Sequence, residues 1–252
     1  MAFDYSNYVP VEYIESTGTQ FIKTDCPLYD GIAEMDVSFN AVNTAASYQS
    51  VIGGRSSSGI AVFLLSRSSA LGYGYKGAWK TGLATYAANT RYTVRTSLLP
   101  QPASASMNIN GTDYGVTGNF SPLPTPSAYY YDIFAYNSES NSQGHLYKCT
   151  SGVKLYSLSL YDTADNLIYE FIPCRTKDAT PAGGLYETVH EKFFGNIGTG
   201  VFGYGADIST GSNVWIKDSG TWKQADAVYV KDGGTWKAAT TVFIKDSGSW
   251  IS

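Results

Sequence analysis

Apolar and polar residues alternate along much of the first 205 positions of the chain. The clearest alternation runs from Ile32 to Phe39, where every second residue is apolar and the residues between include Glu34, Asp36 and Ser38. A period of two predicts a β-strand with one face in a core and the other open to solvent or a ligand.

A second alternating stretch, from Val153 to Cys174, contains its own turn. Apolar or aromatic residues recur at every second position on both sides of the turn-forming segment 162–166. They are Tyr156, Leu158, Leu160, Leu167, Tyr169 and Phe171. This pattern predicts a β-hairpin. An isolated hairpin of this kind is marginal in water, so we expect it to lie at the centre of a larger sheet.

Shorter strands are predicted on either side of this hairpin. The Asn110-Gly111 pair is the strongest short hairpin signal, because both residue types accept the positive φ angles of a tight turn. A first strand pair is predicted at 13–14 and 20–23, joined by the segment 16–18. About a dozen short strands without an amphipathic helix predict an all-β, two-sheet sandwich of the jelly-roll type.

The pattern changes after Gly205, where a motif recurs every 14 residues. Its three copies begin at Val214, Val228 and Val242, and each contains a Lys-Asp pair, a turn with glycine and a tryptophan. Because glycine supplies the positive φ that tight turns need, each copy predicts a short β-hairpin. We therefore divide the chain into a jelly-roll domain at 1–205 and three hairpin repeats at 206–252.

The three repeats cannot build an adequate core by themselves. We expect them to pack within a homo-oligomer, of which a trimer is one form, and to serve as an assembly or attachment segment. A meander docked on the jelly roll and a repetitive sugar-binding face are the alternatives. The predicted assembly residues are Trp215, Trp222, Tyr229, Trp236, Phe243 and Trp250.

Charge and cysteine content exclude several classes of function. The 252 residues carry a net charge of −4 with a pI of about 5.1, so there is no basic footprint for nucleic acid or anionic lipid. No apolar run approaches the roughly 20 residues that a membrane-spanning helix needs. Cys26, Cys149 and Cys174 have no metal-ligand spacing, which predicts reduced, mostly buried thiols.

Two segments of the chain resemble a known family. The run from Val153 through FIPC at 171–174 to FGYG at 202–205 resembles the C-terminal part of a concanavalin A-like (LamG-type) jelly-roll module. Residues 11–25 resemble the opening of such modules in phage structural proteins and in surface proteins of gut bacteria. The tandem hairpins resemble repeats at the ends of phage tail and fibre proteins. The resemblance implies a fold rather than a particular ligand.

Glycoside hydrolases also use this sandwich, and the resemblance implies an E-x-D-x-x-E pattern for their paired carboxylates. Here Glu34 and Asp36 are present, but Phe39 occupies the third acidic position. His145 and His190 lack a Gly-x-Ser-x-Gly nucleophile motif, and the sequence at 30–31 lacks the spacing of a calcium loop. We therefore expect no enzymatic activity, no metal and no cofactor.

Carbohydrate binding uses exposed aromatic rings against the apolar faces of sugars and polar groups for the hydroxyls. The predicted ligand-binding residues are Arg55, Tyr73, Tyr75 and Trp79, with Tyr129 and Tyr130 as a second group. The alternative is that these aromatic residues only fill sheet positions, for which they have a high propensity.

Together these features predict a non-enzymatic bacteriophage virion protein, a fibre, tail or capsid-decoration component that displays a lectin-like domain on the virion surface. Its expected partners are other virion proteins and a glycan of the host surface or of mucus. The opening residues show no signal peptide, so we expect synthesis in the host cytoplasm. A purely structural virion component without sugar binding, and a bacterial surface adhesin, are the alternatives.

Overall fold

The computed structural model describes most of the first 208 residues and the strands that follow. The described ranges are 3–28, 34–43, 47–56, 59–66, 70–75, 78–97, 105–116, 129–138, 144–146, 148–149, 152–208, 215–218, 221–224, 229–232, 235–238, 244–246 and 249–251. Within them every helix-or-strand element is a β-strand, and no helix is long and apolar enough to cross a membrane.

The strands are short and follow one another closely along the chain. In chain order they are β1 (Tyr8–Pro10), β2 (Ile14–Ser16), β3 (Ile22–Pro27), β4 (Glu34–Ala41), β5 (Gln49–Ser56), β6 (Gly59–Ser66), β7 (Ala70–Tyr75), β8 (Ala78–Thr85), β9 (Arg91–Ser97), β10 (Ala105–Ile109), β11 (Thr112–Val116), β12 (Tyr130–Ile133), β13 (Tyr136–Asn137), β14 (His145–Leu146), β15 (Val153–Tyr161), β16 (Leu167–Thr176), β17 (Gly183–Glu187), β18 (Lys192–Phe194), β19 (Gly203–Tyr204), β20 (Trp215–Asp218), β21 (Thr221–Gln224), β22 (Tyr229–Asp232), β23 (Thr235–Ala238), β24 (Ile244–Asp246) and β25 (Ser249–Ile251).

Strands β1 to β19 form two sheets. The larger sheet has the order β11-β10-β9-β4-β15-β16-β17-β18, with β1 beside β16 and β2 between β15 and β19. The smaller sheet has the order β14-β13-β5-β6-β7-β8, with β12 joining β3 to β5. Every pairing is antiparallel except that of β13 with β5.

The inward faces of the two sheets meet in one core. The larger sheet contributes Met35, Val37, Phe39, Leu158 and Phe171, and the smaller sheet contributes Ile22, Ile52, Leu71, Tyr131 and Ile133. Each of these side chains is at most 2% exposed, and burying one such side chain stabilises the fold by roughly 1.5–3 kcal/mol. The predicted all-β sandwich of jelly-roll type is therefore confirmed.

The predicted hairpin within 153–174 lies at the centre of the larger sheet, as β15 and β16. Strand β15 pairs with β4 along one edge, and along its other edge it pairs with β2 at 153–155 and with β16 at 158–161. In the turn, Asp162 Oδ1 accepts hydrogen bonds from the backbone N–H groups of Ala164 at 2.8 Å and Asn166 at 2.9 Å. The Asp side chain therefore satisfies the backbone donors that the turn leaves unpaired.

The alternation in β15 shifts at a β-bulge between Leu155 and Ser157. Leu155 and Leu158 are both fully buried, while Tyr156 is half-buried on the outward side. The prediction that Tyr156 shares a face with Leu158 is therefore wrong, because the bulge inserts an extra residue into the strand.

The hairpin predicted at Asn110-Gly111 is confirmed as β10 and β11. Asn110 and Gly111 have φ angles of 48° and 85°, the left-handed values that a two-residue type I′ turn requires. Asn108 Oδ1 accepts a hydrogen bond of 2.9 Å from the Gly111 N–H, which holds the turn against its own strand.

The predicted pairing of the first two strands is wrong, because β2 and β3 belong to different sheets. The segment between them crosses from one sheet to the other and is held by Gln20. The backbone carbonyl of Gln20 accepts a 2.8 Å hydrogen bond from Ser16 Oγ, and its Oε1 accepts one of 3.0 Å from the Thr17 N–H. Locally, a sheet crossing and a hairpin turn require the same small polar residues.

A second unit follows at residues 208–252, after a division between Asp207 and Ile208. It contains the hairpins β20–β21, β22–β23 and β24–β25, one for each 14-residue repeat. Among the described residues each hairpin is a separate two-stranded sheet. The predicted division after Gly205 lies two residues earlier than this one.

Candidate ligand-binding surface

The six predicted ligand-binding residues all lie in or beside strands of the smaller sheet. Arg55 is in β5, Tyr73 and Tyr75 are in β7, Trp79 is in β8, Tyr130 is in β12, and Tyr129 directly precedes it. The strand register divides them between faces. Positions 73 and 75 alternate with Gly74, which pairs with Trp79, so the three aromatic positions of this group do not share one face.

The buried residue Leu71 shows which face is which. Positions 73 and 75 share its side of β7, and Leu71 is fully buried in the core. Gly74 is on the opposite, outward side of β7, and its row continues through Val62 of β6 to Gly53 of β5. Trp79 pairs with Gly74, and Arg55 is two residues from Gly53, so both of these positions are also on the outward side. The backbone carbonyls of Tyr129 and Tyr130 accept hydrogen bonds from the Leu28 N–H at 3.0 Å and from Asn137 Nδ2 at 3.0 Å.

The outward side of the smaller sheet contains a buried carboxylate. Asp132 pairs with Gly53 in the register and has a fully buried side chain. His145 Nδ1 lies 2.5 Å from Asp132 Oδ2, and the imidazole packs on Phe21 with ring centroids 4.4 Å apart. Because the histidine is 20% exposed, this pair ties the short strand β14 to the sheet rather than presenting an open site.

The outward face of the larger sheet is polar across six neighbouring strands. One register row consists of Asp113, Asn108, Arg95, Asp36, Ser159 and Glu170. A second row consists of Arg91, Asn40, Lys154 and Glu15, on β9, β4, β15 and β2. The polar face predicted for β4 therefore lies near the middle of a broad polar surface.

Four residues on this surface form what we call the tyrosine-cation cluster: Tyr13, Arg91, Lys154 and Tyr156. The two tyrosine rings meet edge to face with centroids 5.5 Å apart. The Arg91 guanidinium carbon lies 4.2 Å from the centre of the Tyr156 ring, and Lys154 Nζ lies 4.3 Å from that of Tyr13. Cation–π contacts of this kind contribute about 0.5–1 kcal/mol at exposed sites and more where water is excluded.

Two groups of the cluster, Tyr156 and Lys154, have shifted pKa values. Burial and the charge of Glu12 raise the pKa of Tyr156, against the opposing effect of the Lys154 and Arg91 charges, so its hydroxyl stays neutral. Burial acts to lower the pKa of Lys154, but contact with Tyr13 and the charge of Glu15 outweigh it and raise that pKa. The cluster thus offers the cationic ammonium of Lys154 and the guanidinium of Arg91 beside the neutral phenol of Tyr156.

Sequence reasoning did not find this cluster. The alternation predicts that Tyr156 shares a face with Leu158 and Leu160, and the bulge in β15 that turns it outward has no signal in the local sequence. Arg91 and Lys154 are 63 positions apart in the chain and meet only through the pairing of β9, β4 and β15. Only the strand order could have brought these residues together.

Other ionisable groups in the described ranges serve the fold. Glu187 is 1% exposed, and its two oxygens accept hydrogen bonds from the N–H groups of Glu170, Val189 and His190 and contact His190 Nδ1 at 2.8 Å. This carboxylate therefore orders the turn between β17 and β18. Phe39, at the position where a glycosidase of this fold would carry an acid, is fully buried.

The three cysteines are free and buried. Burial raises the pKa of the Cys26 and Cys149 thiols, and it raises that of Cys174 to about 12. Since the thiolate is the nucleophilic form, none of them is reactive at neutral pH. In the part of the chain that the structure describes, no three His, Cys, Asp or Glu side chains are grouped as a metal site would require.

In the tail, the register places the two aromatic positions of a repeat on one face of its hairpin. In the first repeat Trp222 pairs with Lys217, and Lys217 shares a face with Trp215 because the two are two residues apart on one strand. In the second repeat Trp236 pairs with Lys231, which shares a face with Tyr229 in the same way. In the third repeat, Trp250 pairs with Lys245, and Phe243 lies outside the described residues. In the first two repeats the aromatic positions therefore share one face of the hairpin, and Ile216 and Val230 occupy positions on the opposite face.

Comparison with known proteins identifies no family. No family model matches the chain, and no curated protein matches it. Among solved structures, the chain is similar to a native heptameric SAP-like pentraxin from Limulus polyphemus, with 11% sequence identity and a TM-score of 0.44 over 66% of this chain and 80% of that chain. A similarity at this level carries no argument about ligand or assembly, and neither a LamG-type nor a phage assignment is supported by it.

Proposed function

We propose that the chain is a non-enzymatic, lectin-like binding protein whose jelly roll holds a glycan on the outward face of the larger sheet. The observation that carries this proposal is the tyrosine-cation cluster. Aromatic rings, hydroxyls, a guanidinium and an ammonium lie together on an open polar sheet, and these are the groups with which proteins hold sugar rings and their hydroxyls.

The described ionisable groups support the non-enzymatic part of the proposal. The Glu187 carboxylate is occupied by donors of its own turn, the thiols are protonated, and Phe39 occupies the position at which glycoside hydrolysis on this strand would need its acid/base carboxylate. The cluster itself contains donors and aromatic surface but no pair of carboxylates, so it suits binding better than bond cleavage.

Within this proposal, the protein is displayed on a bacteriophage virion as a fibre, tail or capsid-decoration component. The supporting features are the jelly-roll segments and the 14-residue repeats in the sequence. The repeats serve assembly or attachment, and the sheet face of the jelly roll serves adhesion to a host-surface or mucus glycan. The rival is a structural virion component, in which the same sheet face contacts another virion protein.

The test is a glycan array probed with the full chain and with Tyr156→Ala. We expect the wild-type chain to bind a restricted set of glycans, and Tyr156→Ala to lose about fivefold in affinity, since an aromatic contact of this kind contributes on the order of 1 kcal/mol. Tyr5→Ala is the matched control, because Tyr5 is 52% exposed and lies in the N-terminal segment.

Glycan binding that is unchanged in Tyr156→Ala would place the sugar elsewhere on the domain. If no glycan binds, and cross-linking in an intact virion joins Lys154 to another virion protein, the structural rival holds instead.

A further inference from the structure

Five basic side chains in the described part of the first unit have two different kinds of partner. Arg175 and Lys192 each lie 2.6 Å from a carboxylate, and Arg95 lies 2.9 Å from that of Asp165. Arg91 and Lys154 instead lie on tyrosine rings. Across the described ranges, neither has a carboxylate within 4 Å. A ring quadrupole attracts a cation without cancelling its charge, so these two side chains retain a full positive charge at the surface.

Arg91 is held in a fixed orientation with its two terminal nitrogens available. Its Nε donates a 2.8 Å hydrogen bond to Ser38 Oγ, and its guanidinium lies over Tyr156. No acceptor in the described part of the protein takes a hydrogen bond from Nη1 or Nη2. The side chain is exposed. A guanidinium fixed through Nε presents the two-pronged edge that pairs with an oxyanion.

Lys154 lies two strands away from Arg91 in the same register row. Asn40, on β4, pairs with both residues. Since neighbouring strands are about 4.8 Å apart, the backbones of Arg91 and Lys154 are separated by roughly 10 Å, about the span of two linked sugar residues. Glu15 occupies the far end of the row beyond Lys154, so negative charge is favoured at the Arg91 end.

We infer that the tyrosine-cation cluster recognises an acidic sugar, with its carboxylate or sulfate group paired to Nη1 and Nη2 of Arg91 and the adjoining sugar residue held near Lys154. This inference rests on the proposed function and narrows it to one class of glycan. Tyr156 is the platform on which the guanidinium is fixed, and Ser38 sets its rotation.

The test uses the full chain with three soluble probes: a galacturonic acid tetramer, a sulfated galactose tetramer and an unmodified galactose tetramer. We expect one of the acidic probes to bind at least tenfold more tightly than the neutral one, with a preference that weakens as salt is added. Comparing the two acidic probes identifies the oxyanion. Arg91→Gln should lower affinity for that probe about ten- to hundredfold, because it removes a charge-assisted bidentate pair.

Arg95→Gln is the matched control, because Arg95 is an arginine of the same strand and face that is already paired with carboxylates. It should leave the affinity for the acidic probe within about twofold, and Arg91→Lys should fall between wild type and Arg91→Gln. Unchanged thermal unfolding of each variant shows that the fold is intact.

Two results overturn the inference. The first is equal affinity of the wild-type chain for the acidic and neutral probes, in which case the proposed glycan binding stands and only the acidic preference fails. The second is an Arg91→Gln variant that binds the acidic probe as wild type does. Absence of binding to all three probes and to the glycan array removes the proposed function along with the inference.

Discussion

The central hairpin β15–β16 and the tail hairpin β22–β23 are built from similar local sequence but have different surroundings. Both are predicted from the sequence, the first from the alternation of its strands around a turn and the second from a repeated glycine-containing turn. The first is flanked by β4 on one side and by β17 on the other, and its Leu158 and Phe171 are at most 1% exposed. The second pairs with no third strand among the described residues.

This difference shows what the local sequence decides. Local sequence specifies that a segment forms a hairpin and, where no bulge intervenes, which residues share a face, but it does not specify what packs against that face. The inward face of β15–β16 packs against the opposite sheet, and burial of its apolar side chains there stabilises the hairpin. A two-stranded hairpin alone is marginal in water, so the tail repeats need a cover that their own hairpins do not supply.

The largest expected effect on this comparison comes from Phe171→Ala in the central hairpin. The change removes a buried ring that packs against Phe194, with centroids 5.9 Å apart, and should lower the free energy of unfolding by about 3–5 kcal/mol. Urea denaturation followed by circular dichroism measures it. Tyr229→Ala, the matched change in the tail, should leave the main transition where it is in wild type.

An equal loss of stability in Tyr229→Ala would show that the two units unfold together. The central hairpin and the tail hairpin would then not differ in how they are stabilised.

The next expected effect concerns what packs against the aromatic faces of the tail hairpins. If the aromatic faces pack against other copies of the chain, the double variant Trp222→Ser, Trp236→Ser should convert an oligomer into a monomer. Six aromatic side chains that bury about 150–250 Å² each supply at least the roughly 800 Å² per partner of a stable interface. Light scattering on the full chain measures the mass.

The matched control for this variant is Ile216→Ser, Val230→Ser, which changes the opposite face of the same two hairpins and should alter the mass less. A chain ending at Asp207 should be a folded monomer. Full-length wild type that is itself a monomer contradicts self-assembly, and the repeats should then be tested as a docking segment for another protein.

The fold was predictable from the sequence because its determinants are local. The alternation in β4 places Met35, Val37 and Phe39 inward, and Asn110-Gly111 requires the positive φ angles that the structure shows. The crossing at 16–21 was not predictable, because small polar residues serve a hairpin turn and a sheet crossing equally.

The candidate surface could be predicted only in part. The polar face of β4 was visible, but the partners that complete it come from β2, β9 and β15, which are distant in sequence. The aromatic group around Tyr73 and Trp79 looked like one cluster in the sequence, whereas alternation and the register divide it between two faces. Pairing order and bulges decide such questions, and neither has a short-range signal.

The smallest expected effect concerns the point where the first unit ends. Asp207 accepts hydrogen bonds of 2.7 and 2.6 Å from Nε and Nη2 of Arg175, and its backbone bridges to Val11. The bond from Arg175 lowers the pKa of Asp207. A carboxyl whose pKa is depressed by folding stabilises the fold above its unfolded pKa, about 3.9, and loses that contribution as pH falls through the folded pKa.

Asp207→Asn should therefore destabilise the protein at pH 7, and this difference should shrink as the pH falls below the unfolded pKa and through the lowered folded pKa. Because Asp207 is 49% exposed, solvent screening limits the loss to about 1 kcal/mol or less, which corresponds to a change of no more than about 2–4 °C in Tm. Asp178→Asn removes the same charge from an exposed turn and should change Tm less at pH 7. A difference between wild type and Asp207→Asn that is the same at pH 7 and pH 2 would mean that the ion pair does not hold the end of the jelly roll, and the boundary would then return to Gly205.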